Sequence, residues 1–388
     1  MSRQRLMMLT IVALFAIGAA LLLANRRNAA PDLHGASLLP SLAAELDTVT
    51  SLSVFKGSPT PTVTVHKQGD QWTVAERGNY PADVSKVRKL LLTLSDAKIR
   101  EEKTSNPESY TVIGVEDALK AGATGSQIEL LAKSGKLDVI VGKPASQGNF
   151  VRRAAEKTSY VAEPGIFFEA EPRFWIDTKL LDIANDNIQS IEFKPASAPG
   201  YTLRRVTEPA PKPADTKTSS APAEPKAAAA AAPGSAPAAA APPPPAPAPV
   251  SKFVLDGVPS GRQANNSDSL SPLPSTFSSL TDEDVSAAGD IDFSKPSILT
   301  VTLTDGSVIT LTGTAVGDKR WIQVSAPKDA ALTAKATGRA FEIASYRYDQ
   351  VFRPLEQLLV PKPAPAPPKT PGPASSPVPK KPPGPPKP

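Results

Sequence analysis

Short runs of alternating apolar and polar residues recur along the chain. VTSLSVFK (Val49 to Lys56), TVTVHK (Thr62 to Lys67) and QWTVAE (Gln71 to Glu76) all alternate in period two, which predicts strands with one buried face. After the turn GNYPAD the period changes. Val84, Val87, Leu91 and Leu94 recur at helical spacing with Leu90 beside them, and Asp83 stands where an N-cap belongs, which predicts an amphipathic helix. SQIELLAKSGKLDVIVGK (Ser126 to Lys143) reads as a hairpin turning at Ser134-Gly135, and NFVRRAAEKTSYVAE (Asn149 to Glu163) as a second strand pair. FWIDTKLLDI closes the unit.

The second half repeats this programme. At a constant offset of 171, Gly135 meets Gly306, Gly142 meets Gly313, Ile128 meets Leu299, Leu130 meets Val301, Leu137 meets Val308, Phe150 meets Trp321 and Trp175 meets Tyr346. Nearer the start of each half the offset is 186, as loops of unequal length require. Val87, Leu91, Leu94 and Ile99 then meet Leu273, Phe277, Leu280 and Val285. The expected fold is therefore α+β, with two tandem copies of a hairpin-rich antiparallel unit at residues 45–185 and 186–360.

Ahead of the first unit, Leu6 to Ala24 (LMMLTIVALFAIGAALLLA) contains no charge. As a helix it would reach about 28 Å, close to a hydrocarbon thickness of about 30 Å. Arg26 and Arg27 follow directly and no small-x-small cleavage site is evident, so residues 1–27 read as an uncleaved N-terminal transmembrane anchor rather than a signal peptide. Arg3, Arg5 and the terminal amine outweigh Arg26 and Arg27, which favours a cytoplasmic N-terminus and an extracytoplasmic body, periplasmic in a Gram-negative cell. The expected location is the inner membrane.

Composition adds two further segments. Of the 44 prolines, most fall within residues 208–250 and 361–388. The first stretch, which includes KAAAAAAPGSAPAAAAPPPPAPAP, lies between YTLRRV (Tyr201 to Val206) and SKFVLDG (Ser251 to Gly257), where the first unit has only a short turn. It reads as a disordered insertion carried on a hairpin, tolerable because closure entropy grows only logarithmically with length. The second is a Pro-rich tail with Lys362, Lys369, Lys380, Lys381 and Lys387 and no acid.

The net charge of +5 therefore sits in the tail and the anchor flanks, leaving the remainder slightly acidic without the dense basic stripe that nucleic acid requires. There is no Cys, and the two histidines, His34 and His66, lie far apart, so zinc fingers, thiol enzymes and disulfide scaffolds are excluded. No P-loop, G-x-G-x-x-G or G-x-S-x-G occurs. Ser-x-x-Lys occurs at Ser53 to Lys56, Ser95 to Lys98 and Ser325 to Lys328, but that chemistry needs the Ser at the start of a helix. Ser53 falls in a strand, Ser95 at a helix end and Ser325 just before Pro327. Glu101, Glu102, Glu116 and Asp117 read as loop acids without partners. Trp72, Trp175 and Trp321 read as core, and Arg152-Arg153 and Arg204-Arg205 as structural ion-pairing residues. No catalytic, cofactor-binding or metal-binding residue is assigned.

The stretch Gln71 to Asp117, followed by VGK at Val141, FVRRA at Phe150 and FWID at Phe174, resembles a bacterial family known as domain of unknown function 4340. The likeness covers roughly residues 45–200, and 250–360 more loosely. It implies an N-terminal membrane anchor and an extracytoplasmic α+β body. It also implies a partner, since genes of the family often lie beside those of gliding-type ABC transport components. No functional residue comes with it. The expected function is thus a non-enzymatic, single-pass membrane protein that serves as an accessory or assembly module for a membrane complex, with an ABC-type transporter as the expected partner. The alternative is an envelope-binding or spacer protein whose basic tail contacts wall polymer.

Overall fold

The computed structural model describes residues 16–18, 33–208, 250–265, 270 and 272–362. Its framework is two large antiparallel sheets. The first draws on β1 (Ser51–Phe55), β2 (Val63–Gln68), β3 (Gln71–Val74), β4 (Tyr80–Pro81), β5 (Lys98–Glu102), β6 (Ser126–Ala132), β7 (Gly135–Pro144), β8 (Asn149–Arg153) and β9 (Ser159–Glu163), in the order β4-β3-β2-β1-β6-β7-β8-β9-β5. A short strand, β10 (Lys179–Leu181), follows.

The second sheet uses β11 (Ile188–Lys194), β12 (Tyr201–Glu208), β13 (Val250–Asp256), β16 (Asp284–Ala287), β17 (Ser297–Leu303), β18 (Val308–Val316), β19 (Lys319–Ser325) and β20 (Arg339–Ile343), in the order β13-β12-β11-β17-β18-β19-β20-β16. Two strand pairs complete the fold: β14 (Arg262–Ala264) with β21 (Leu359–Pro361), and β10 with β15 (Leu280–Thr281). Apart from β4, the orders of the large sheets correspond strand for strand.

The alternation that predicted strands is the alternation that buries them. In β1, Leu52 and Val54 are fully buried, and their register partners Val65, Val63, Leu130 and Ile128 are too. The predicted helix forms as α1 (Val84–Asp96), where Asp83 accepts hydrogen bonds from the backbone N–H groups of Ser85 at 2.9 Å and Lys86 at 3.3 Å. Its buried stripe is Val87, Leu90, Leu91 and Leu94, as the spacing requires.

In the second unit Leu273, Phe277, Leu280 and Val285 are equally buried, but no comparable helix supports them. Pro272–Ser275 forms one α-turn and Thr276–Ser279 a 3-10 turn. Here Ser275 and Thr276 donate their hydroxyls to the Pro272 carbonyl, and Ser278 to that of Ser275. Such local bonds compete with helix propagation. The remaining helices are short; α2 (Ala330–Ala336) and α3 (Ser345–Val351) are the ones that matter below.

Buried side chains of both units form one continuous hydrophobic cluster, from Leu38 and Leu52 through Trp175 and Ile188 to Phe341 and Leu359. Burial does not follow every sequence match. Trp175 is fully buried, whereas Tyr346, its counterpart at offset 171, is 61% exposed at the start of α3. Among the described residues no helix is long and apolar enough to cross a membrane. The predicted anchor lies outside the described residues except for residues 16–18, which are helical, and the Pro-rich tail lies outside them beyond Lys362. The insertion also lies outside, at residues 209–249, but its two ends are placed. Glu208 and Val250 are register partners at the end of the β12–β13 hairpin.

Candidate functional site

A cluster of ionisable side chains lies where the two units meet. The first unit contributes the 3-10 turn Ala75–Arg77, which Gly78 ends in a left-handed conformation at φ 60°, and then β4. The second contributes β16, α2 and the start of β20. Arg77 grips Asp284 with two bonds, Nε to Oδ1 at 2.5 Å and Nη2 to Oδ2 at 2.9 Å. Arg339 Nη2 donates to the Gly78 carbonyl at 2.9 Å, and Lys335 Nζ reaches Asp177 Oδ2 at 2.9 Å. All three cations therefore bind across the seam.

Beneath them lie two buried polar groups. Tyr80 is fully buried, with its ring edge-on to Phe341 (centroids 5.9 Å apart), and Lys335 and Arg339 lie 5.3 and 5.4 Å from its ring centroid. Its hydroxyl has no hydrogen-bond partner, nor does either carboxylate oxygen of Asp282, a residue only 3% exposed. Burial pushes the Asp282 carboxyl up to about 7, against the pull of Lys335. Burial, with the nearby charges of Asp282 and Asp177, also pushes the Tyr80 hydroxyl up, so it stays protonated.

A cleft of about 590 Å³ opens at this seam, lined by Glu76, Arg77, Asp284, Asp290, Trp321 and Arg339 among others. Neither Asp282 nor Tyr80 lines it. The carboxyl tuned closest to neutrality is thus withheld from a ligand in the cleft, and the arginines that line it are engaged in holding the seam. What this arrangement does chemically is couple the units through charge-assisted hydrogen bonds. Among the described residues no group of three or more His, Cys, Asp or Glu side chains is placed to hold a metal ion.

The residues singled out in the sequence fall elsewhere. Arg152 is buried, and its guanidinium bonds the carbonyls of Val115, Ala154 and Glu156 while stacking on Tyr110. Arg153 bonds the carbonyls of Leu38 and Ser37 and the Glu156 carboxylate. Arg204 pairs with Asp256, and Arg205 bonds the Ile188 carbonyl while lying over Phe253. Trp175 is core and donates its indole N–H to the Glu169 carbonyl. Trp321 is buried at the cleft wall and Trp72 half-buried beside α1.

The four acids read as unpartnered loop residues need correction. Glu101 and Glu102 lie on β5, where Glu101 pairs with Lys103. Glu116 accepts from the Thr124 backbone and hydroxyl, and Asp117 from the Leu119 backbone. The sequence reading missed Tyr80, Asp282, Asp284 and Lys335. The available cue was the acidic run Asp282 to Asp284, set between the buried Leu280 and Val285.

The fold and the seam define an antiparallel α+β protein whose two sheets share one core and one polar junction. Residues 72–232 match the family model described as Domain of unknown function (DUF4340), so the resemblance read from the sequence holds over that stretch. The match begins in β3 and runs past β12, crossing from one sheet into the other instead of ending with either. No curated protein and no solved structure matches the chain.

Proposed function

We propose that the protein is a non-enzymatic, membrane-anchored accessory module for a membrane complex, with an extracytoplasmic body built from two copies of one α+β unit. The observation that carries this reading is the placement of the Ala/Pro-rich insertion. Its ends are adjacent partners on an edge hairpin, so residues 209–249 are carried on a finished sheet without interrupting it. A scaffold that holds such a segment at its rim suits protein docking. The seam supports the same reading, since its cations are spent on rigidity. An ABC-type transport complex is the partner class that the family resemblance implies.

Four of the five tail lysines lie beyond Lys362 and favour a second reading, in which that stretch contacts anionic wall polymer. Mild crosslinking in cells, detergent extraction and identification of what co-purifies tests both. Permease and ATPase subunits retained after deletion of residues 363–388 support the accessory module. Wall fragments lost with that deletion, and no transport subunit in either case, overturn it in favour of the second reading.

A further inference from the structure

The large sheets have four edges, of which two are closed and a third is short. Residues 35–38 run along β5, with Gly35 N–H bonded to the Ile99 carbonyl, Ile99 N–H to that of Ala36, and Leu38 N–H to that of Ala97. β4 is two residues long, contains Pro81 and is covered by the second unit through Lys335, Arg339 and Phe341. β16 is only four residues long, is clamped by Arg77 through Asp284 and borders the cleft at the seam.

The fourth edge is β13. Among the described residues it pairs with β12 alone, along seven residues without a proline. The corresponding strand of the first unit, β3, carries β4 on its outer side, and the second sheet has no strand in that place among the described residues. A long unpaired edge is a template for another strand.

The residues of β13 point to which strand. Phe253 and Leu255 face the core, so Lys252, Val254 and Asp256 share the opposite, half-buried face. Antiparallel pairing of β13 with itself about a two-fold at Val254 sets Lys252 of each copy opposite Asp256 of the other, giving two cross-strand pairs of opposite charge, with the apolar Phe253 and Leu255 opposite each other on the core side. Arg204, whose register partner is Val254, already bonds Asp256 at 2.9 Å and lies diagonal to both charged positions. We propose that two copies of this chain associate through β13, edge to edge and antiparallel, with Val254 on the two-fold axis.

The chain has no cysteine, so a single introduced thiol reports this geometry directly. In the full-length protein in its membrane, Val254→Cys should give a disulfide-linked or short bis-maleimide-linked homodimer. Val112→Cys, at a position 68% exposed on the first unit, should not. Adding Lys252→Glu to Val254→Cys turns both cross-strand pairs repulsive and should lower dimer yield about tenfold; adding Asp256→Lys as well restores opposite charges and should recover it. As a check that needs no cysteine, the detergent-extracted wild type should show a concentration-dependent dimer, and Val254→Lys, which sets two lysines face to face, should be a monomer. Several results overturn the proposal: equal crosslinking of the two cysteine variants, crosslinking of the Val254→Cys thiol to a different protein, indifference to Lys252→Glu, or a wild type that is monomeric at every concentration.

Discussion

Arg77 and Asp284, far apart in sequence and on different units, form a two-bond ion pair with both side chains mostly buried, at 23% and 17% exposure. A planar guanidinium matched to a carboxylate fixes orientation as well as distance. With Arg339 on the Gly78 carbonyl and Lys335 on Asp177, it makes the junction specific where the shared hydrophobic core alone would let the sheets slide. Arg77→Ala and Asp284→Ala should each lower unfolding stability by about 1–3 kcal/mol, because each leaves a partly buried partner charge uncompensated. The double variant should cost less than the sum of the two. Urea unfolding of the four proteins closes the cycle, and strict additivity would show that the pair is not coupled.

Asp282 makes the same junction sensitive to pH. Its carboxyl is raised to about 7 in the folded protein but sits near the ordinary carboxylate value when unfolded. The contribution is fully favourable below about pH 4, where both states are protonated, and is lost as pH rises through about 7 because the folded state resists ionisation. The groups facing it set the size of the effect: Lys335 favours the charged form, whereas Asp177 and Asp284 oppose it. Asp282→Asn should therefore raise stability at pH 8 by on the order of 2 kcal/mol and do little at pH 4. Thermal melts across pH 4–8 read this out as two curves that diverge with rising pH. Parallel curves would show that the carboxyl ionises without penalty.

Gly142 and Gly313, which the sequence aligns, are both required by close approach. A Cβ on Gly142 would overlap the Ile113 carbonyl oxygen and stand 2.8 Å from that of Gly114, and one on Gly313 would stand 2.5 Å from the tip of the Phe352 ring. Backbone cannot yield where a ring partly can. Gly142→Ala should thus cost about 2–4 kcal/mol and Gly313→Ala about 1–3 kcal/mol. Phe352→Leu should offset part of the loss in Gly313→Ala and none of that in Gly142→Ala, as measured by denaturant midpoints.

These residues mark how far the sequence could be read. The strands β1, β2, β3, β6, β7, β8 and β9, the helix α1 and its Asp83 cap were legible because each buries a face at a regular period, and period is a local property. β5 was not, since KIREE buries only Ile99 and is held as a strand by pairing with distant β9. No helix like α1 forms in the second unit, because Leu273 and Phe277 carry the spacing while Ser275, Thr276 and Ser278 bond backwards. The seam was illegible for another reason. Tyr80, Asp282 and Lys335 come together only when two sheets fold against each other, and no spacing along the chain encodes that meeting.

The insertion offers the cleanest separation of fold from function. Gln68 and Gln71 pair across a turn of Gly69 and Asp70 in the first unit, the place that residues 209–249 occupy between Glu208 and Val250 in the second. Replacing residues 209–249 with Gly-Asp should therefore leave the β12–β13 register intact. Shortening the loop should also stabilise the fold, by no more than about 2–3 kcal/mol at roughly 0.6 kcal/mol for each halving of length. If the segment is the docking element proposed above, the shortened protein should fold at least as well as the parent yet lose its co-purifying partners. Denaturant unfolding and partner capture on the same preparation test both halves. A shortened protein that is less stable would show that residues 209–249 pack on the body, and one that keeps every partner would move the docking surface to the sheets.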